Sequence, residues 1–218
     1  MNLKGARPES FGTVLSFFYE KIAQSNFEPG HRRIALEIPI TTGRLLDVGC
    51  GPGGLDRMIA QARPSVTVVG LDESEPMVRR ALRRPRPPNL EFRAGSIEKA
   101  VMAEEFDFAL SVQSFHHWEE PEAGLEAVYR ALKPGGRFWI YEGDPEASSE
   151  DLRRAQRGIG GWLRVPAPLL RKQLRGHGFT AGEVKSVVAP VVARTGFRTC
   201  EVNHSGALLR ISMTRSVS

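Results

Sequence analysis

The chain has 218 residues, 41% apolar and 25% charged, a composition that fits one globular α/β domain and excludes collagen, a disordered tail and a disulfide scaffold. Basic residues number 30 against 25 acidic, a formal charge of +5, and 24 of the 30 are arginine. No run reaches the ~18 apolar residues of a membrane span, the start Met1-Asn2-Leu3-Lys4 lacks a leader's hydrophobic run, and Cys50 and Cys200 form no framework of staples; a cytoplasmic protein is expected.

Phe11, Leu15, Phe18 and Ile22 recur at helical spacing and predict an amphipathic N-terminal helix, followed by a short helix over 31–38 that stops before Pro39. Residues 45–48 read as a strand running into glycines 49–54. Leu55, Met58, Ile59 and Ala62 then keep the spacing of a helix. The β-branched run 66–71 predicts a buried strand, and Pro76 suits the first turn of the next helix. That helix ends in an Arg/Pro-rich loop. The arginines at 79, 80, 83, 84 and 86 read as a solvated face rather than an anion-binding patch.

Further strands are expected at 90–94, 106–112 and 137–142, with a helix over 122–132 stopped by Lys133-Pro134-Gly135-Gly136. A late helix at 169–175 precedes two strand-like runs, 183–193 and 207–214. Strands alternating with helices predict right-handed crossovers and a mostly parallel sheet covered on both faces. Ligands of such sheets bind beyond the carboxyl ends of the strands.

The most unusual residues fall there. Asp47-Val48-Gly49-Cys50-Gly51-Pro52-Gly53-Gly54 lies between a strand and a helix, and Gly49, Gly51 and Gly54 also satisfy the GxGxxG pattern of dinucleotide sites. Asp47 discriminates between the two readings: a carboxylate one residue before the turn repels a pyrophosphate and attracts a ligand carrying ammonium and sulfonium charges. Asp72, at the end of the second strand, can accept from both hydroxyls of a ribose; it can equally cap the following helix, as can Ser74.

These residues resemble motif I of the class I S-adenosylmethionine-dependent methyltransferases. Val69-Gly70-Leu71-Asp72 with Met77 resembles that family's acidic-loop segment. Phe106-Asp107-Phe108 through His116-His117-Trp118 resembles its fourth strand and following loop. Ala131-Leu132-Lys133-Pro134-Gly135-Gly136-Arg137 is similar to the turn before its fifth strand, and Leu174-Arg175-Gly176-His177-Gly178-Phe179 to the late helix and turn into the sixth. The likeness runs in order over about residues 40–215 and is nearest to small-molecule enzymes akin to the quinone-biosynthesis C-methyltransferases.

The resemblance implies a Rossmann-like seven-stranded sheet with an antiparallel last strand. Residues 41–218 would form the S-adenosylmethionine-binding domain, and residues 1–40 a helical cap belonging to it. It also implies cofactor contacts from Gly49, Cys50, Gly51 and Gly53, with Asp47 at the ammonium end and Asp72 and Glu73 at the ribose. Met77 and Ile97 would lie near the adenine and Gln113 beside the cofactor. The family usually has an acid after the glycine of the third-strand loop; here Gly95 is followed by Ser96, an uncharged acceptor.

Methyl transfer needs a base only where the acceptor atom carries a proton. The candidates are His116 and His117 after the fourth strand, and Tyr19 on the N-terminal helix; the histidines can alternatively just position a loop. Ser111-Val112-Gln113-Ser114 is not the Asn/Asp-Pro-Pro-aromatic box of amide and adenine methylation, and there is no Pro-Cys nucleophile. A small-molecule acceptor is therefore expected and nucleic acid disfavoured. The histidines at 31, 116, 117, 177 and 204 show no chelating i, i+4 pair, so no metal is expected. An NAD-dependent oxidoreductase and a catalytically silent cofactor-binding protein are the rival readings. Residues 144–166, with Trp162, are read as a surface loop that could serve as a lid.

Overall fold

The computed structural model describes residues 28–156 and 165–217. Helix α1 (Glu28–Glu37) leads into β1 (Gly43–Val48), α2 (Gly54–Ala62), β2 (Val66–Asp72), α3 (Glu75–Leu82), β3 (Leu90–Ala94) and β4 (Phe106–Val112). There follow α4 (Pro121–Ala131), β5 (Leu132–Gly143), α5 (Ser149–Ala155), α6 (Ala167–His177), a helical run from Ala181 to Val192 termed α7, β6 (Glu201–Ser205) and β7 (Leu208–Thr214). The sheet order is β3-β2-β1-β4-β5-β7-β6. Strands β1 to β5 pair in parallel, and β7 runs antiparallel to both β5 and β6. No helix among the described residues is long and apolar enough to cross a membrane. The expected N-terminal helix, with Tyr19, and Trp162 of the 144–166 loop lie outside the described residues.

The continuous apolar runs of β1, β2 and β4 follow from burial on both faces, and successive residues feed opposite cores. Leu45, Val68, Phe108, Leu110, Trp139 and Tyr141 pack with α1 and α2 on one side. Leu46, Val69, Ala109, Phe138, Ile140 and Ile211 pack with α4 and α7 on the other. Predicted and observed strands agree at β3 and β4. At β5 the strand starts earlier than expected, at Leu132, because Lys133–Gly136 are absorbed by a shift of register between Phe106 and Phe108 of the partner strand.

The run read as a strand over 183–193 is helical. Thr180 and Glu183 form a reciprocal capping box: the Glu183 amide donates to Thr180 Oγ1 at 3.1 Å and the Thr180 amide to Glu183 Oε2 at 2.7 Å. Val184, Val188, Val191 and Val192 are buried at helical spacing, so packing overrides the strand preference of β-branched residues. A widened turn over Val184–Val188, in which the Ala189 amide reaches the Val184 carbonyl, accommodates Pro190. The sixth strand is instead the short edge strand Glu201–Ser205, polar because most of it faces solvent.

Close backbone approach at the end of β5 brings α6 to the carboxyl edge of the sheet. Gly143 bridges Gly178, and the Phe179 amide donates to the Gly143 carbonyl at 3.0 Å. A Cβ at Gly178 would stand 2.0 Å from the Gly143 oxygen, which is backbone and has no side chain to swing aside. Gly178→Ala is expected to destabilise by about 1–3 kcal/mol through overpacking, a fall of roughly 2–10 °C in Tm measurable by calorimetry.

Candidate active site at the carboxyl edge of the sheet

The glycine turn joins β1 to α2 with Gly49, Gly51 and Gly53 at φ of 81°, 55° and 72°, a region where a side chain is strained. The amides of Gly49 and Cys50 both donate to the Leu71 carbonyl, at 2.7 and 3.1 Å, which ties the turn to β2. Gly49 also lies against Ser114, where a Cβ would come within 1.9 Å of the hydroxyl oxygen. Arg57 braces the turn from α2: its guanidinium donates to the carbonyls of Pro52 at 3.1 Å and Gly53 at 2.6 Å and covers the ring of Phe92. Its burial, with Arg84 and Arg86 nearby, draws the guanidinium below its ordinary range.

Asp72 ties the glycine turn to the entry of α3. Its Oδ1 accepts from the Ser74 amide at 2.8 Å at the entry to α3, and its Oδ2 accepts from the Gly51 amide at 2.7 Å. A carboxylate has about four acceptor sites, so capacity remains for a ribose. Glu73 beside it is exposed and Met77 half-buried.

Asp47 and Asp56 are enclosed beneath the turn. Asp47 is 2% exposed and Asp56 0%; Asp47 Oδ1 and both Asp56 oxygens have no hydrogen-bond partner. Burial first, then the charges of Asp56 and Asp72, hold the Asp47 carboxyl well above the usual range. Burial pushes Asp56 up to about 7. Cys50 is buried too, and desolvation together with these acids raises its thiol far above the ordinary value, so it is an inert wall rather than a nucleophile. A buried carboxylate with one unpartnered oxygen, at a glycine turn, is the group that a ligand ammonium fits.

On the opposite side of the edge, β4 is followed by Gln113, held at φ 55° with its backbone amide donating to the Tyr141 carbonyl at 2.8 Å and its Nε2 buried without a partner. The turn Phe115–His117 then aims His116 inward. The His116 amide donates to Glu142 Oε1 at 3.1 Å, and its Nδ1 lies 2.8 Å from Glu142 Oε2; both side chains are buried. With the carboxylate accepting from Nδ1–H, Nε2 is left with the lone pair that a base requires. His117 is exposed, its ring 3.9 Å from that of His116, and the His177 ring lies 5.6 Å from His116. The two candidate histidines are thus separated by environment.

Ser96 donates to Glu98, so its hydroxyl proton is engaged and its lone pairs stay available as acceptors. Ile97 is buried in the core, which leaves its backbone rather than its side chain for a ligand. Sequence reasoning passed over Asp56, Arg57, Glu98 and Glu142. Asp56 carried a signal, since it shares the helix face of Leu55, Ile59 and Ala60, where an acid is out of place.

A glycine turn at the switch point of a seven-stranded 3-2-1-4-5-7-6 sheet, with acids at the ends of β1 and β2, is the arrangement expected from the resemblance to the class I S-adenosylmethionine-dependent methyltransferases. The methyltransferase-domain family matches residues 46–140. Among named proteins, the chain is similar to the uncharacterized methyltransferase YdaC of Bacillus subtilis, 36% identical over 48% of this chain and 59% of that one. It is also similar to the erythromycin 3''-O-methyltransferase of Saccharopolyspora erythraea, 29% identical over 81% of this chain and 65% of that one. The chain therefore spans about two thirds or less of these relatives' lengths. In fold it is similar to a crystal structure from Methanococcus maripaludis assigned to the S-adenosylmethionine-dependent methyltransferases, with a TM-score of 0.73, 20% identity and 97% of each chain covered.

Proposed function

We propose that the protein transfers the methyl group of S-adenosylmethionine to a small-molecule acceptor, with His116 as the base and Glu142 as its positioning residue. The observation that carries this reading is the convergence of two groups at the carboxyl edge of the sheet. One is the glycine turn with the unpartnered Oδ1 of Asp47; the other is the buried His116–Glu142 pair at the ends of β4 and β5.

In this reading Gly49, Gly51 and Gly53 let the backbone approach the methionine moiety, Asp47 faces the ammonium and Asp72 accepts from the ribose. Glu73, Met77, Ser96, Ile97 and Gln113 line the nucleoside side, Cys50 closing the wall beneath. When bound, S-adenosylmethionine supplies an electrophilic methyl that an acceptor lone pair displaces in line. Where the acceptor atom carries a proton, His116 Nε2 takes it while Glu142 keeps the ring oriented and stabilises the imidazolium. His117 stands nearer the acceptor side, Tyr19 is kept as a further candidate base, and residues 1–40 are assigned as a cap belonging to the domain formed by 41–218. A small acceptor is supported by Gln113-Ser114 following β4 in place of a planar-nitrogen box, and by the erythromycin O-methyltransferase activity for which the Saccharopolyspora relative is named. A cytoplasmic location is part of the same reading.

The test is transfer of tritiated methyl from S-adenosylmethionine into a cell extract fractionated by size, with NAD binding titrated in parallel. Label in the low-molecular-weight fraction is expected. Label confined to protein or RNA overturns the acceptor class, cofactor binding without transfer favours the silent reading, and preferential NAD binding overturns the reading altogether.

A further inference from the structure

Asp56 has no part in the reading above, yet its position is not that of a packing residue. It lies in the first turn of α2, fully buried, with neither carboxylate oxygen hydrogen-bonded, beside the unbonded Oδ1 of Asp47. Gly70, the register partner of Asp47 on β2, makes room for it: a Cβ there would come within 2.9 Å of Asp56 Oδ1 and of Cys50 Sγ. Asp72 adds a third acid from the end of β2, and the Cys50 thiol faces the group from the turn. Arg57, next along α2, is the neighbouring cation, and its guanidinium is directed at the carbonyls of Pro52 and Gly53. From β3 the neighbour is the uncharged ring of Phe92. Two enclosed carboxylates in contact cannot both ionise cheaply in the absence of a cation.

We propose that Asp47 and Asp56 hold one proton between them in the free protein and that the cofactor's positive charge expels it. Asp56 is then a second counter-charge of the cofactor site, and cofactor binding is linked to release of one proton. This rests on the S-adenosylmethionine reading. The proton leaves a carboxyl group for the buffer, and the carboxylate it leaves behind is paired with the ligand's ammonium; no other group changes. The raised carboxyl pair acts in the same sense on the free protein. An acid shifted from 3.8 to about 7 stabilises the fold below about pH 4, and that contribution is lost as pH rises through about 7.

The experiment is isothermal titration of S-adenosylmethionine between about pH 5.5 and 8, in buffers of different ionisation heat, on the native protein and Asp56→Asn. Below about pH 7 the ligand's own amino group is already protonated and takes up nothing. The native protein is expected to release about one proton per ligand at pH ~6, with Kd tightening up to about tenfold per pH unit until about pH 7 and levelling beyond it. Asp56→Asn is expected to release less and to bind with a shallower pH profile, the remainder coming from Asp47, whose carboxyl burial still raises. Without ligand, Asp56→Asn should also gain Tm relative to the native protein as pH is raised from 6 to 8, which reports on the same proton independently of the cofactor. Cofactor binding by the native protein with no proton release, or unchanged release in Asp56→Asn, overturns the inference. Absence of cofactor binding at every pH overturns the reading on which it rests.

Discussion

Asp72→Ala is expected to weaken S-adenosylmethionine binding by about 10²- to 10³-fold. Two bonds disappear within the protein, those from the Gly51 amide at 2.7 Å and the Ser74 amide at 2.8 Å, so the glycine turn loses one of its ties to the end of β2. The acceptor for the ribose hydroxyls goes with them. Hydrogen bonds to a charged group contribute about 1.5–3 kcal/mol each, and 1.4 kcal/mol is tenfold in Kd, so loss of the two bonds to the ribose hydroxyls, partly replaced by water, reaches the stated range, while the two internal bonds are lost from stability. Asp72→Asn separates the contributions. Its single carbonyl oxygen satisfies one donor while the amide N–H groups oppose the other, so an intermediate loss is expected. Calorimetric titration checks both variants; a native-like Kd in Asp72→Ala would remove Asp72 from the site.

His116→Ala is expected to lower kcat by about 10²- to 10⁴-fold for an acceptor that must lose a proton, the range general-base catalysis usually supplies, with little change in cofactor Kd. Glu142→Gln tests how the imidazole is held. The carboxylate accepts from both the His116 amide and Nδ1, at 3.1 and 2.8 Å. An amide of the same shape can satisfy one of these donors but presents N–H to the other, which favours the tautomer with its lone pair turned away from the acceptor. A fall in kcat of about tenfold or more at unchanged cofactor Kd is expected, whereas a purely structural Glu142 would lower Tm and leave the kcat of the folded fraction alone. His117→Ala, at an exposed ring, is expected to change kcat less than His116→Ala. Equal turnover by all three variants and the native protein would show that the acceptor needs no base from this pair.

The distribution of these residues explains what was legible beforehand. Gly49, Gly51, Gly53, Asp47 and Asp72 stand at strand ends, where a local run and its turn fix the position of each residue, and each lies where the pattern put it. The helix over Ala181–Val192 was misread because its valines favour strands in isolation; the capping box at Thr180 and the burial of Val184, Val188, Val191 and Val192 against the sheet outweigh that preference. Short, polar β6 offered no apolar run at all, since an edge strand exposed on most of its length needs none.

The sequence by itself determined the α/β alternation, the glycine turn and the two acids that flank it, because each depends on neighbours within a few residues along the chain. Tertiary structure alone decided which histidine is oriented and which acids share an enclosure. His116 meets Glu142 across 26 residues, through the parallel pairing of β4 with β5. Asp56 meets Asp47 because α2 folds back over the end of β1, and Gly70 on the adjacent strand leaves the space they occupy. Burial is a property of the packed sheet and its helices, and burial is what turns two ordinary aspartates into a proton-holding pair.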